Sequence, residues 1–144
     1  MSLIHATGVF FADKGLLLKG PSGSGKSDLA LRLMALGAEL VGDDYLEVSC
    51  GKDGRLTMIA PSNIAGKIEV RNVGILAVPH RGKTEIDLVL DLVLLGDIKR
   101  LDRLPEPGTF SLEGRAVPCL GFYAFEASAP EKIRAAINIL FQKY

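Results

Sequence analysis

The chain has 144 residues, 17 basic against 17 acidic side chains, and a formal net charge of zero. That length fits one domain, residues 1–144, able to bury about two-thirds of its unfolded surface. The charge balance excludes a broad attraction to nucleic acid or to anionic lipid. Cys50 and Cys119 lie far apart without CxxC spacing, so they read as reduced thiols rather than a metal finger or a disulfide framework. Met1–His5 lacks the basic start and apolar core of a secretory signal. The longest apolar segment, Ile86 to Leu95, contains Asp87 and Asp91 and is too short to cross a bilayer. A cytoplasmic protein with no membrane or nucleic-acid partner is expected.

In chain order, Val9-Phe10-Phe11 and Leu16-Leu17-Leu18 read as a hairpin whose turn chemistry comes from Asp13-Lys14-Gly15. The second strand runs into Gly20-Pro21-Ser22-Gly23-Ser24-Gly25-Lys26-Ser27, which satisfies GxxxxGK[ST]. After it, Leu29, Ala30, Leu33, Met34 and Leu36 recur at helical spacing, and Gly37 is a natural stop. Glu39-Leu40-Val41 reads as a short strand delivering Asp43 and Asp44, and it should run beside the phosphate-loop strand. Tyr45–Ser49 and Leu56–Ile59 pair across a Gly51–Gly54 turn. Ile68–Arg71 and Gly74–Val78 are further strands, with a bulge at Asn72 or Gly74, and Glu69 and Arg71 should share a face.

His80-Arg81-Gly82-Lys83 is a basic loop, solvated or able to clamp a phosphate. Residues 86–94 alternate as a strand with one polar face, a helix being the other option. Pro105, Pro107 and Gly108 mark a surface turn, and Arg115–Leu120 is a strand. The end is helical. Ser128 and Glu131 form an S-x-x-E capping box ahead of an apolar stripe at Ile133, Ile137, Leu140 and Phe141.

Chemistry concentrates at the glycine loop. Glycines let backbone N–H groups close on phosphate oxygens where a Cβ would obstruct them. Lys26 supplies a point charge, the Ser27 hydroxyl suits Mg²⁺, and the following helix start adds partial positive charge. ATP and Mg²⁺ are therefore the expected cofactors. One carboxylate of the Asp43–Asp44 pair can hold Mg²⁺, directly or through water, while the other accepts a proton from an attacking hydroxyl. Residues 45–120 show little helix, so a regular doubly wound NTPase layout fits poorly.

His5, Val9-Phe10-Phe11, Gly20–Ser27, Asp28-Leu29-Ala30-Leu31, Leu40–Asp44 and Ile68-Glu69-Val70-Arg71-Asn72-Val73-Gly74-Ile75, in this order and spacing, resemble the kinase domain of the HPr kinase/phosphorylase family. Asp28, Gly42 and Asn72-Val73 depart from that family's usual Glu, Ala and Gly-Leu. The resemblance implies an α/β, strand-rich, phosphoenolpyruvate-carboxykinase-like P-loop kinase domain with few helices. It further implies an ATP-dependent serine kinase acting on the HPr phosphocarrier of a phosphotransferase system, which can also remove the phosphate. It implies a homo-oligomer, expected to be a hexamer, in a short form without the family's N-terminal regulatory domain.

Carried over residue by residue, the resemblance makes Asp43 the base, His5 its neighbour, and Arg71 a charge-stabilising residue. Gly20, Pro21, Ser22, Gly23, Ser24, Gly25, Lys26 and Ser27 hold the nucleotide, and Ser27, Glu69 and Asp44 attend the metal. Two other functions remain open from the residues alone: a P-loop kinase of a small-molecule acceptor, and a nucleotide-binding sensor without turnover.

Overall fold

The computed structural model describes residues 1–142. Its elements in chain order are β1 (Ser2–His5), β2 (Thr7–Phe11), β3 (Lys14–Lys19), α1 (Lys26–Met34), β4 (Glu39–Gly42), β5 (Tyr45–Cys50), β6 (Leu56–Ile59), β7 (Lys67–Val70), β8 (Gly74–Ala77), β9 (Thr84–Glu85), β10 (Leu88–Leu92), β11 (Gly108–Leu112), β12 (Arg115–Phe122) and α2 (Ala129–Phe141). A short 3₁₀ turn covers Leu95–Arg100, so the strand-rich, helix-poor α/β class is observed.

A six-stranded sheet runs β11-β12-β10-β3-β2-β4, and a four-stranded sheet runs β1-β5-β6-β9. The first is covered on both faces. Leu16, Leu18, Leu88 and Leu90 pack with Leu29 and Leu33 of α1 and Ile133 and Ile137 of α2. Leu17, Val89 and Val41 face the other way, onto Leu46, Val48, Leu56 and Met58 of the four-stranded sheet. Strands buried on both faces read as continuous apolar runs, which is why residues 16–18 do not alternate.

The same burial corrects the expectation for residues 86–94. They do form a strand, β10, but Val89 is fully buried on the face expected to be polar. Asp91 on that face pairs with Lys19 at 3.1 Å, and Asp87 accepts the Gly15 amide at 2.9 Å. β10 lies parallel to β3 with Leu90 opposite Leu18, so it is the neighbour of the phosphate-loop strand. β4 is not that neighbour, contrary to the sequence expectation, because β2 intervenes. Since β2 is antiparallel to both β3 and β4, β4 still runs the same way as β3. The C-terminal ends of β3, β4, β10 and β12 therefore gather at one end of the sheet.

Local corrections follow the same pattern. The β2–β3 turn is Ala12-Asp13, both at positive φ, and Gly15 lies inside β3, where a Cβ would collide with the Glu85 carbonyl. β7 ends at Val70, so Arg71, Asn72 and Val73 form a hairpin turn with Asn72 at φ 67°, not a bulged strand. β11 begins at Gly108, inside the expected surface turn, and no strand is expected over its other residues. It pairs with β12 through Glu113-Gly114, both at positive φ. α1 closes as expected, with Gly37 at φ 100° and the Ala38 amide returning to the Leu33 carbonyl at 3.0 Å. α2 starts at the expected place, but Ser128 makes no side-chain capping bond, and Pro130 in the first turn needs none.

Candidate active site

Gly20, Gly23 and Gly25 sit at φ 153°, 84° and 99°, so the loop turns through conformations that L side chains rarely adopt. Space demands glycine as well. A Cβ on Gly20 would lie 2.6 Å from the Leu92 carbonyl oxygen and 2.7 Å from Ser24 Oγ. Ser24 Oγ is buried and has no hydrogen-bond partner among the described residues. An orphaned hydroxyl inside an amide-lined loop suits a polyanion that would satisfy it. Lys26 folds over the same loop, with Nζ donating to the carbonyls of Gly20 at 2.6 Å and Pro21 at 3.3 Å. Burial lowers its pKa, and the nearby charges of Asp44 and Asp43 oppose that shift.

Sixteen residues after Ser27, the chain returns at the end of β4 to meet the loop. Asp43 is 5% exposed and fully engaged. Its Oδ1 accepts from Ser27 Oγ at 2.6 Å and Thr7 Oγ1 at 2.9 Å, and its Oδ2 accepts from the Glu69 amide at 3.2 Å. Asp44 is different. It occupies φ 72°, and the Tyr45 amide closes back onto the Asp43 carbonyl at 2.8 Å, which swings the second carboxylate outward. There Asp44 Oδ1 meets His5 Nε2 at 2.9 Å, with 64% of the Asp44 side chain exposed. Tyr45 stacks on the His5 ring at 5.1 Å between centroids and 29° between planes.

A cavity of about 290 Å³ joins these parts. His5, Lys26, Ser27, Asp44, Glu69 and Arg71 line it, with Phe125 on another wall. The site residues expected from the sequence thus converge on one end of the sheet, with two differences of arrangement. His5 contacts Asp44, not Asp43. Arg71 reaches the cavity from a turn, not from a strand face shared with Glu69. The loop at residues 80–83 does not line it: Arg81 stacks over Phe10 at 3.8 Å and pairs with Glu39 at 3.3 Å.

Among the described residues, no group of three or more His, Cys, Asp or Glu side chains is arranged to hold a metal alone. Mg²⁺ commonly binds through one or two carboxylates together with substrate phosphates and water. Ser27, Asp43, Asp44 and Glu69 are oxygen donors of that type around the loop.

Two contributors were missed in the sequence. Thr7 is a buried hydroxyl holding Asp43, and its signal was a polar residue between Ala6 and the apolar strand. Phe125 follows β12 about a hundred residues beyond the loop, with no motif to mark it. A larger cleft of about 550 Å³ opens at the other end of the sheet, between the starts of β10 and β12. Its walls include Arg55 and Glu85, ion-paired at 2.8 Å, and none of the phosphate-loop residues.

Residues 1–120 match the family model for the HPr serine kinase C-terminal domain. The HPr kinase/phosphorylase of Alkaliphilus metalliredigens is 40% identical over 132 residues, covering 87% of this chain and 40% of that protein. The HPr kinase/phosphorylase of Levilactobacillus brevis is 34% identical over 108 residues, covering 70% of this chain and 35% of that protein. The chain spans little more than a third of the length of such relatives. Among solved structures, the Hpr(Ser) kinase/phosphatase from Coxiella burnetii superposes with a TM-score of 0.84 at 26% identity, covering 96% of this chain and 95% of that one.

Proposed function

The chain belongs to the HPr serine kinase C-terminal domain family, and from that premise we propose that it transfers the γ-phosphoryl group of ATP to a serine of the HPr phosphocarrier. The observation that carries this reading is the joining of the phosphate loop, through Ser27 and Asp43, to an exposed carboxylate–histidine pair in one cavity. Binding a nucleotide needs only the loop. A proton acceptor beside it is what a transfer reaction adds.

In this reading the loop amides, Ser24 and Lys26 hold the phosphates, and Asp43 fixes the Ser27 hydroxyl. Mg²⁺, with Ser27 and Asp43 near it and Asp44 or Glu69 completing its surroundings, would neutralise charge on the phosphates. The serine Oγ forms its bond to the γ-phosphorus as the bond to the β-phosphate oxygen breaks, and the serine proton passes to a carboxylate. The resemblance assigns that carboxylate as Asp43. The exposure of Asp44 and its contact with His5 favour Asp44, because an acceptor serine can reach it without displacing Ser27 or Thr7. Arg71, exposed at the cavity wall, is the cation available to the transferring phosphoryl group.

The same site offers the reverse removal of phosphate through the same groups. A homo-oligomer, hexameric as the resemblance implies, is part of the proposal. It is supported by exposed apolar side chains at Val73, Ile75 and Leu76 on the β7–β8 hairpin and at Ile139 on α2. In keeping with a soluble phosphocarrier as acceptor, no helix among the described residues is long and apolar enough to cross a membrane.

The test is incubation with ATP, Mg²⁺ and HPr followed by intact-mass analysis, using wild type, Asp43→Asn and Asp44→Asn. Wild type should add one phosphoryl group to HPr. A general base contributes about 10²–10⁴-fold, so the variant lacking it should lose that much rate while retaining nucleotide binding. Loss confined to Asp44→Asn assigns the proton to Asp44, and loss confined to Asp43→Asn returns it to Asp43. No transfer to HPr by wild type overturns the reading.

A further inference from the structure

The segment joining β12 to α2 reaches the phosphate loop from the side of the sheet away from β4, since β12 and β4 lie on opposite sides of β3. It is held in place. Arg32, on α1, donates to the Glu126 carbonyl at 3.2 Å and to the Ala124 carbonyl, and Lys132 pairs with Glu126 at 2.9 Å. Between those anchors Phe125 lies against the loop itself: a Cβ on Gly25 would come within 2.9 Å of its Cζ. Yet Phe125 remains 49% exposed, and Tyr123, its aromatic partner among the described residues, meets it edge-on at 5.8 Å and 68°. Leu31, one turn along α1 from the loop lysine, lines the same cavity.

An aromatic ring held this firmly and still half in water is an unused apolar surface. The charged walls of the cavity are His5, Lys26, Asp28, Asp44, Glu69 and Arg71, and the phosphoryl-transfer reading uses all of them but Asp28. Among the described residues lining the cavity, Phe125 carries the one all-carbon ring, a flat apolar face of the kind a nucleotide base stacks on.

We propose that Phe125 is the platform on which the nucleotide base stacks, with Leu31 providing a further apolar contact; this rests on the phosphate-loop reading above. Stacking favours any base because every base has a π-face. The platform therefore distinguishes a nucleotide from bare polyphosphate, but it separates adenine only weakly from guanine.

The experiment compares calorimetric binding of Mg·ATP and of Mg·tripolyphosphate to wild type, Phe125→Ala and Phe125→Trp. Wild type should bind ATP more tightly than tripolyphosphate. Phe125→Ala should weaken ATP about tenfold, in line with the loss of one stacked base, and leave tripolyphosphate unchanged. Phe125→Trp should restore ATP binding, with indole fluorescence quenched by ATP and not by tripolyphosphate. Unchanged ATP affinity in Phe125→Ala, or an equal loss for both probes, overturns the platform. So does wild type binding both probes equally, which leaves the phosphate loop intact. Wild type binding neither probe overturns the phosphate-loop reading and the platform with it.

Discussion

The end of the sheet and the β7–β8 hairpin both contribute to one cavity, yet they are built on opposite terms. At the sheet end, Asp43 is buried, bonded to two hydroxyls and an amide, and backed by strands covered on both faces. The hairpin joins that centre along β7, through the Glu69 amide and the buried Ile68, while Ile75 on β8 is 75% and Val73 at the turn 83% exposed. The phosphate-loop half is covered on both faces, whereas the hairpin is tied to the core along β7 and leaves β8 in solvent. The proposed transfer to a protein serine would use that division, because fixed phosphates and an exposed docking edge place different demands on the same cavity.

Four changes break or sharpen the contrast. The largest effect is expected from Lys26→Ala. Losing a desolvated charge partner costs on the order of 2–5 kcal/mol, so ATP affinity measured by calorimetry should fall at least about thirtyfold in a folded protein. The pH dependence has a definite sign. Burial lowers the Lys26 pKa below its ordinary 10.5, so its charge is lost earlier on the alkaline side than for a free lysine. ATP affinity should drop as pH rises through that lowered value. Between it and 10.5 the unfolded chain holds the extra proton, so this group's share of stability rises with pH.

Next is Leu90→Ala in the doubly covered strand, expected to cost about 2–5 kcal/mol in urea unfolding. Thr7→Val follows. It removes one donor from Asp43 while keeping shape, and should cost about 1–3 kcal/mol because an acceptor loses its buried partner. It should also weaken phosphoryl transfer more than ATP binding. The smallest stability effect belongs to Ile75→Ser, within about 0.5 kcal/mol as for other exposed positions. If the hairpin is an association surface, the same change should shift sedimentation toward smaller species. An Ile75→Ser protein destabilised like Leu90→Ala would erase the contrast.

What the sequence made legible tracks how local the cause is. The glycine loop, α1 and its Gly37 stop rest on contacts a few residues apart, and their chemistry is written in residue type. That Asp43 and Asp44 lie near the phosphate loop was also legible. Their route to it was not, because β2 inserts between β3 and β4, and strand order is decided by packing across the whole sheet. The His5–Asp44 contact depended on a backbone corner at φ 72°, which nothing in Gly42-Asp43-Asp44-Tyr45 announces. The misreading of Val89 has the same origin. An alternating pattern shows where charges fall, but not that a second sheet covers the face between them.

The left-handed backbone at Asp44 also bears on engineering. Only glycine adopts such angles freely, and aspartate tolerates them at a cost of about 1 kcal/mol. A stability-driven redesign of this chain would therefore tend to place glycine there, and the product would fold at least as well as the original. It would also lose the outward carboxylate and its contact with His5. On the proposed role of Asp44, thermal stability alone would then rank a disabled protein above a working one, so a library built on this scaffold has to be screened for transfer at that position before it is screened for melting.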